Sequence, residues 1–209
     1  MVGGMDVQRS LLDEGPVAFE PLAPQRTPLA DDAWVDFQRG WLRGSDALFE
    51  ILLDAVEWRA DRRPMYDRVV DVPRLTRFFG EDEPLPHPAL EQARDALGVH
   101  YSHELGEPFA TAGMCLYRDG RDSVAWHGDR DGRSSTQDTL VAILSLGSPR
   151  ALALRRRDRG PTLHRFALGH GDLLVMGGSC QRTWDHGVPK TAASVGPRIS
   201  VQFRPRGVR

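Results

Sequence analysis

The pattern of apolar and polar positions changes near residue 108. Before it, "SDALFEILLDAVEW" (45–58) spaces Leu48, Phe49, Leu52 and Val56 along one helical face. Ser45 is placed to cap that helix, and Asp46 suits its electropositive first turn. "HPALEQARDALG" (87–98) predicts a second helix, with Pro88 in the first turn and Gly98 as the stop. After residue 108, short apolar runs recur about every ten residues, predicting strands near 111–118, 123–127, 138–146, 150–156, 163–168, 172–177 and 197–204. The breaks between them, "RDGRD", "LGSP", "RDRGP", "LGHGD" and "VGPR", have turn chemistry. Many short, evenly spaced strands predict a mostly β fold with flanking helices, a sandwich or jelly roll. Residues 1–33 carry Pro16, Pro21, Pro24 and Pro28 with little periodicity and read as an irregular arm. With 209 residues the chain is expected to form a single domain, its core spanning 108–206.

Composition and charge narrow this picture only a little. No run approaches the roughly 18 apolar residues of a membrane span. The N-terminus lacks a basic start and an apolar stretch, so no secretion signal is read. Cys115 and Cys180 are the only cysteines, which fits a reducing, cytoplasmic setting. The net charge of −2 advertises no general affinity for nucleic acid. Its distribution says more. Residues 1–99 carry 11 basic and 19 acidic groups, and the remainder 16 and 10. Within the acidic half, residues 58–79 reverse sign, with Arg59, Arg62, Arg63, Arg68, Arg74 and Arg77 against three aspartates. Such a patch can receive a phosphate backbone or be an ordinary solvated loop.

The chemistry concentrates on a doubled tripeptide. His127-Gly128-Asp129 returns 43 residues later as His170-Gly171-Asp172. On a strand, residues i and i+2 face the same way, so His127 and Asp129 converge. A third ligand must come from downstream, where His164, His170 and His186 lie. Two histidines and one carboxylate, leaving three coordination positions open, is the arrangement of non-haem Fe(II) oxygenases. The second copy, "LGHGDLLVMGG", reads as a turn in which Asp172 receives backbone N–H bonds at a strand entry. "PRISVQFR" alternates strictly: Arg198, Ser200, Gln202 and Arg204 face one way, Ile199, Val201 and Phe203 the other. An inward Arg198 offers a bidentate fork for a carboxylate. A dicarboxylic acid that chelates metal at one end and meets Arg198 at the other predicts 2-oxoglutarate.

These residues resemble the AlkB family of Fe(II)/2-oxoglutarate dioxygenases. "YRDGRDSVAWHGD" is similar to that family's strand–turn–strand leading to the first two ligands. "HGDLLVMGGSCQRTWDHGVPK" is similar to the segment delivering the third, and "PRISVQFRP" to its closing strand. "PRLTRFFG" (73–80) resembles the region before a nucleotide lid, here 58–87. The resemblance implies a double-stranded β-helix and Fe(II), 2-oxoglutarate and O2 as cofactor and cosubstrates. It implies oxidative demethylation of bases such as 1-methyladenine and 3-methylcytosine in DNA and possibly RNA, releasing formaldehyde, succinate and CO2. It also implies metal ligands His127, Asp129 and His186, with Tyr117 and Arg198 on the distal carboxylate, Arg204 near the metal-bound end, and Asp131 facing the damaged base. The family often has Asn two residues before the Tyr. Here it is Cys115, a weaker donor that either contacts the cosubstrate or simply packs.

A flipped base needs walls. Trp58, Met65, Tyr66 and Phe78 are the candidates, with Arg62 and Arg63 on phosphates and Arg155, Arg156, Arg157 and Arg159 extending that track. The expected partner is alkylated DNA or RNA, met by a monomer. Three other readings stay open: the same chemistry on a protein or small molecule, a non-catalytic nucleic-acid-binding jelly roll, and a zinc hydrolase. The last leaves Tyr117 and Arg198 without a role.

Overall fold

The computed structural model describes residues 15–65, 68–157 and 160–208, with the side chains of 61–71 outside that description. In chain order the strands are β1 (Ala18–Phe19), β2 (Gln25–Pro28), β3 (Ala33–Gln38), β4 (Leu42–Arg43), β5 (Arg59–Met65), β6 (Arg68–Phe79), β7 (Phe109–Tyr117), β8 (Val124–His127), β9 (Val141–Gly147), β10 (Arg150–Arg156), β11 (Thr162–Leu168), β12 (Asp172–Gly178), β13 (Trp184–Val188) and β14 (Arg198–Pro205). The helices are α1 (Ser45–Ala55), α2 (Pro88–His100), α3 (Ser102–Leu105) and α4 (Cys180–Thr183). An antiparallel eight-stranded sheet runs β2-β3-β12-β9-β14-β7-β6-β5. A four-stranded sheet, β11-β10-β13-β8, faces it. This is the jelly roll.

Strands buried on both faces lose their polar alternation, which is why "VAILSLG" and "DLLVMGG" read as continuous apolar runs. On β9, Ala142, Leu144 and Leu146 enter one core with α1 and α2, while Val141 and Ile143 enter the core between the sheets. On β12, Leu173 and Val175 join the first core and Leu174 and Met176 the second. Strand β14 breaks this rule on one face. Ile199, Val201 and Phe203 are fully buried in the helix-side core, whereas Arg198, Ser200 and Gln202 turn a buried polar row toward the sheet interior.

Three local expectations differ from the structure. Ser45 does not cap α1; Gly44, at φ 64°, stands at the N-cap with no side-chain bond, and Ser45 is already inside the helix and buried. Gly98 does not end α2, which continues to His100 because Leu97 and Tyr101 still have core to fill. The stretch read as an irregular arm holds β1 and β2; β2 pairs with β3 at the edge of the large sheet. Arg26 grips buried Asp36 across that pair at 2.8 Å, and the Tyr101 hydroxyl donates to the same carboxylate at 3.0 Å. The expected lid segment opens as the hairpin β5–β6, a continuation of the large sheet beyond β7.

Candidate active site

His186 on β13 is the direct cross-strand partner of His127 at the end of β8. The register puts their rings 4.3 Å apart, centroid to centroid. Asp129 follows in the loop, with Oδ1 3.6 Å from His127 Nε2. Gly128 between them is required by space, since a Cβ there would stand 2.5 Å from the Gln181 carbonyl oxygen. One ligand atom from each of His127, Asp129 and His186 lies within 4.8 Å of the others, the only such cluster among the described residues.

The surroundings prepare these groups for a cation. His127 Nδ1 faces the Ala125 carbonyl at 2.9 Å. A carbonyl only accepts, so the proton sits on Nδ1 and the Nε2 lone pair is free. Burial disfavours charge on His186, and with neighbouring His127 it pushes the imidazole down to about 3. It is therefore a neutral ligand at physiological pH. Burial would raise the Asp129 carboxyl, but Arg204 and the two histidines outweigh it and hold the group well below the usual carboxylate range. Arg204 Nε donates to Asp129 Oδ2 at 2.7 Å, which leaves Oδ1 for the cation. The Asp129 backbone N–H donates to Oε1 of buried Gln181 at 2.9 Å. Asp185, beside His186, is held by Arg130 at 2.7 Å and Arg155 at 3.4 Å.

Behind the triad lies a cavity of about 80 Å³ whose lining includes Tyr117, Cys115, Val124, Val188 and Arg198. Arg198 is 1% exposed. Its Nε donates to Ser145 Oγ at 3.0 Å, its guanidinium lies 5.2 Å from the Tyr117 ring centroid, and Nη1 has no hydrogen-bond partner among the described residues. No carboxylate among the described residues pairs with it. A buried cation without a counter-charge is unfavourable on its own, and burial indeed lowers its pKa. Burial also pushes Tyr117 up to about 12, so its hydroxyl remains a donor. The Tyr117 hydroxyl and the Arg198 guanidinium, both donors on one cavity wall, fit the distal carboxylate of 2-oxoglutarate. The two-histidine, one-carboxylate set, with both nitrogens and one oxygen free, fits ferrous iron.

On the other side of the triad a cleft of about 500 Å³ is bounded by β6, β7 and the loop after β8, and includes Asp131, Thr76, Phe78 and Gly113. Arg74, Cys115, Gln202 and Arg204 border both spaces.

The remaining expected site residues divide clearly. Trp58, expected as a slot wall, instead packs against the helix-side core and donates its Nε1–H to the Leu53 carbonyl at 3.2 Å. Arg62, Arg63 and Met65 lie on β5, and their side chains, like all of Tyr66, fall outside the described residues. Arg155, Arg156 and Arg157 are engaged within the protein, with Asp185, Asp31 and the Arg182 carbonyl; Arg159 lies outside the described residues. The second tripeptide builds a turn. His170 Nδ1 accepts from the Gly147 N–H at 2.6 Å and Nε2 meets Asp46 at 3.0 Å. Asp172 accepts from the Gly40 and Gly169 N–H groups, both at 2.8 Å. Arg74, read only as part of the basic patch at 58–79, borders both spaces, whereas Gln181 and Ser145 were not anticipated. Of those two, only Ser145, a lone polar residue inside an apolar run, has a sequence signal.

Residues 55–204 match the 2OG-Fe(II) oxygenase superfamily. The chain is also 31% identical over 182 residues to the human DNA oxidative demethylase ALKBH2, covering 77% of this chain and 68% of that one. The chain belongs to the AlkB family. Bovine alpha-ketoglutarate-dependent dioxygenase alkB homolog 3 is 33% identical over 190 residues, covering 79% of this chain. This AlkB-family chain spans 65% of the length of that relative. The solved structure of OsALKBH1 matches the fold with a TM-score of 0.58 at 15% identity, over 81% of this chain and 97% of its own.

Proposed function

We propose that this AlkB-family protein is an Fe(II)/2-oxoglutarate-dependent demethylase of N-alkylated bases in DNA or RNA that repairs alkylation damage. The observation that carries the reading is the buried guanidinium of Arg198, without a carboxylate partner among the described residues, on the lining of the same cavity as His127 and His186. His127, Asp129 and His186 would hold the iron; Arg198 and Tyr117 would hold the cosubstrate's distal carboxylate. Iron, 2-oxoglutarate and O2 together supply oxidation of the N-methyl group, giving succinate, CO2 and, after loss of formaldehyde, the unmodified base.

The chain's own residues set where this happens. Arg204 fixes one oxygen of Asp129 so that the other stays directed at the cation. The Ala125 carbonyl fixes the tautomer of His127. The walls of the inner cavity exclude water around the oxoacid. The wider cleft receives the base, which must leave its stack to reach the triad. The Asp131 carboxylate on the cleft wall offsets the positive charge of a base methylated at a ring nitrogen. The same reading carries a monomer in the cytoplasm, where Cys115 and Cys180 stay as free thiols.

The test is formaldehyde release from oligonucleotides carrying 1-methyladenine or 3-methylcytosine, with iron, 2-oxoglutarate and ascorbate. Release that disappears in His127→Ala supports the reading. Turnover of 2-oxoglutarate with no methyl loss from either base, in DNA or RNA, overturns it in favour of a protein or small-molecule substrate.

A further inference from the structure

One row of residues crosses the large sheet beside the triad. Phe78 on β6 pairs with Gly113 on β7, which pairs with Gln202 on β14. Directly opposed residues on an antiparallel sheet share a face. With strands about 4.8 Å apart, the outer two positions are roughly 10 Å apart, and residue 113 between them carries no side chain. All three border the cleft that contains His127 and Asp129. Phe78 is 41% exposed, an aromatic ring left on the cleft wall. The missing side chain at 113 thus leaves room between an aromatic face and an amide, shared with the guanidinium of Arg204.

The amide has a defined orientation. Gln202 Nε2 donates to the Ser200 carbonyl at 2.9 Å and meets Ser200 Oγ at 2.6 Å. The carbonyl only accepts, so the nitrogen is committed there and Oε1 is the other end. Among the described residues the donor recorded for Oε1 is the Cys115 thiol, a weak one at 3.9 Å. A Cβ at residue 113 would stand 3.2 Å from Oε1 and 2.8 Å from Arg204 Nη1, so glycine leaves room for both the amide oxygen and the guanidinium at the cleft wall. An acceptor there repels a carboxylate, which excludes the oxoacid's ends as its target. It needs an N–H donor.

We propose that Gln202 is a specificity-determining residue whose Oε1 accepts a hydrogen bond from the exocyclic amino group next to the methylated ring nitrogen. The inference rests on the demethylase reading and deepens it. Cytosine and adenine present an amino group beside that nitrogen. Uracil and thymine present oxygen there, and two acceptors would face each other with no proton between them.

The comparison is one oligonucleotide carrying either 3-methylcytosine or 3-methyluracil, with kcat/KM measured for wild type and Gln202→Met. Wild type is expected to prefer 3-methylcytosine. Gln202→Met keeps the length and removes the acceptor. It should narrow the preference by about tenfold, with a smaller change in KM for 2-oxoglutarate. Dissociation constants of the two oligonucleotides for the manganese(II)-loaded protein without O2 should shift in the same sense, and melting temperatures establish that the variant is folded. An unchanged ratio in folded Gln202→Met overturns the inference while leaving the demethylase reading intact. If wild type releases formaldehyde from neither oligonucleotide, both fall.

Discussion

Replacing Arg198 by Met should separate binding of the cosubstrate from stability of the fold. Arg198 is 1% exposed and its Nη1 has no hydrogen-bond partner among the described residues, so Met of similar length fills the space without an uncompensated charge. Without ligand the variant should melt at the wild-type temperature or above it. With ligand the order reverses. Loss of one member of a buried charge pair costs about 3–5 kcal/mol, and each 1.4 kcal/mol is about a factor of ten. The dissociation constant for 2-oxoglutarate should therefore rise at least about a hundredfold. The assay is calorimetric titration of 2-oxoglutarate into manganese(II)-loaded protein without O2, with thermal melts in parallel. At a hundred times the dissociation constant a ligand adds about 2.7 kcal/mol, or roughly 5–11 °C for a domain of this size. Wild type should show that rise and Arg198→Met should show almost none at the same concentration. Binding within threefold of wild type in the variant would refute the assignment of the inner cavity.

Arg204→Ala should weaken metal binding about 10–100-fold, because Asp129 loses the bond that orients it; manganese(II) titration reads this directly. His170→Ala should lower the melting temperature, its bond to Gly147 and contact with Asp46 being lost, yet leave metal affinity unchanged, and His127→Ala should do the reverse. The metal-free protein should lose stability as pH falls from about 6.5 toward 3. His186 is held down to about 3 in the fold, against 6.5 for the unfolded group, so the unfolded chain takes up a proton the fold refuses. The contribution is present above 6.5 and lost below it, and melts of His186→Gln should show a shallower acid slope. Iodoacetamide at pH 8 should label Cys115 before Cys180, whose buried thiol is pushed up to about 12, and 2-oxoglutarate should protect Cys115.

The strict alternation of "PRISVQFR" carried most of the site. It placed Arg198, Ser200, Gln202 and Arg204 on one face, and the structure puts all four on the lining of the inner cavity. His127 and Asp129 were legible from their spacing, but His186 could be chosen over His164 and His170 only through a longer resemblance, because cross-strand register is not a local property of sequence. The doubled tripeptide shows the limit well. Identical letters make a ligand pair where the strand ends beside β13 and a turn where Asp172 meets two backbone N–H groups. Gln181 was invisible because α4 is one short turn and its partner lies 52 residues away. Trp58 was misplaced because α1 stops at Ala55, and the ring folds back on Leu53 instead of reaching the cleft. Strands β2 and β5 were missed because edge strands with polar or proline-containing sequence carry no apolar alternation.

The most direct measurement is calorimetric titration of manganese(II) into the metal-free protein and into His127→Ala, Asp129→Ala and His186→Ala. One tight site in wild type, lost or greatly weakened in each variant while the fold still melts cooperatively, is the expected result. A site of undiminished affinity in any of the three would contradict the convergence of these side chains on one ion.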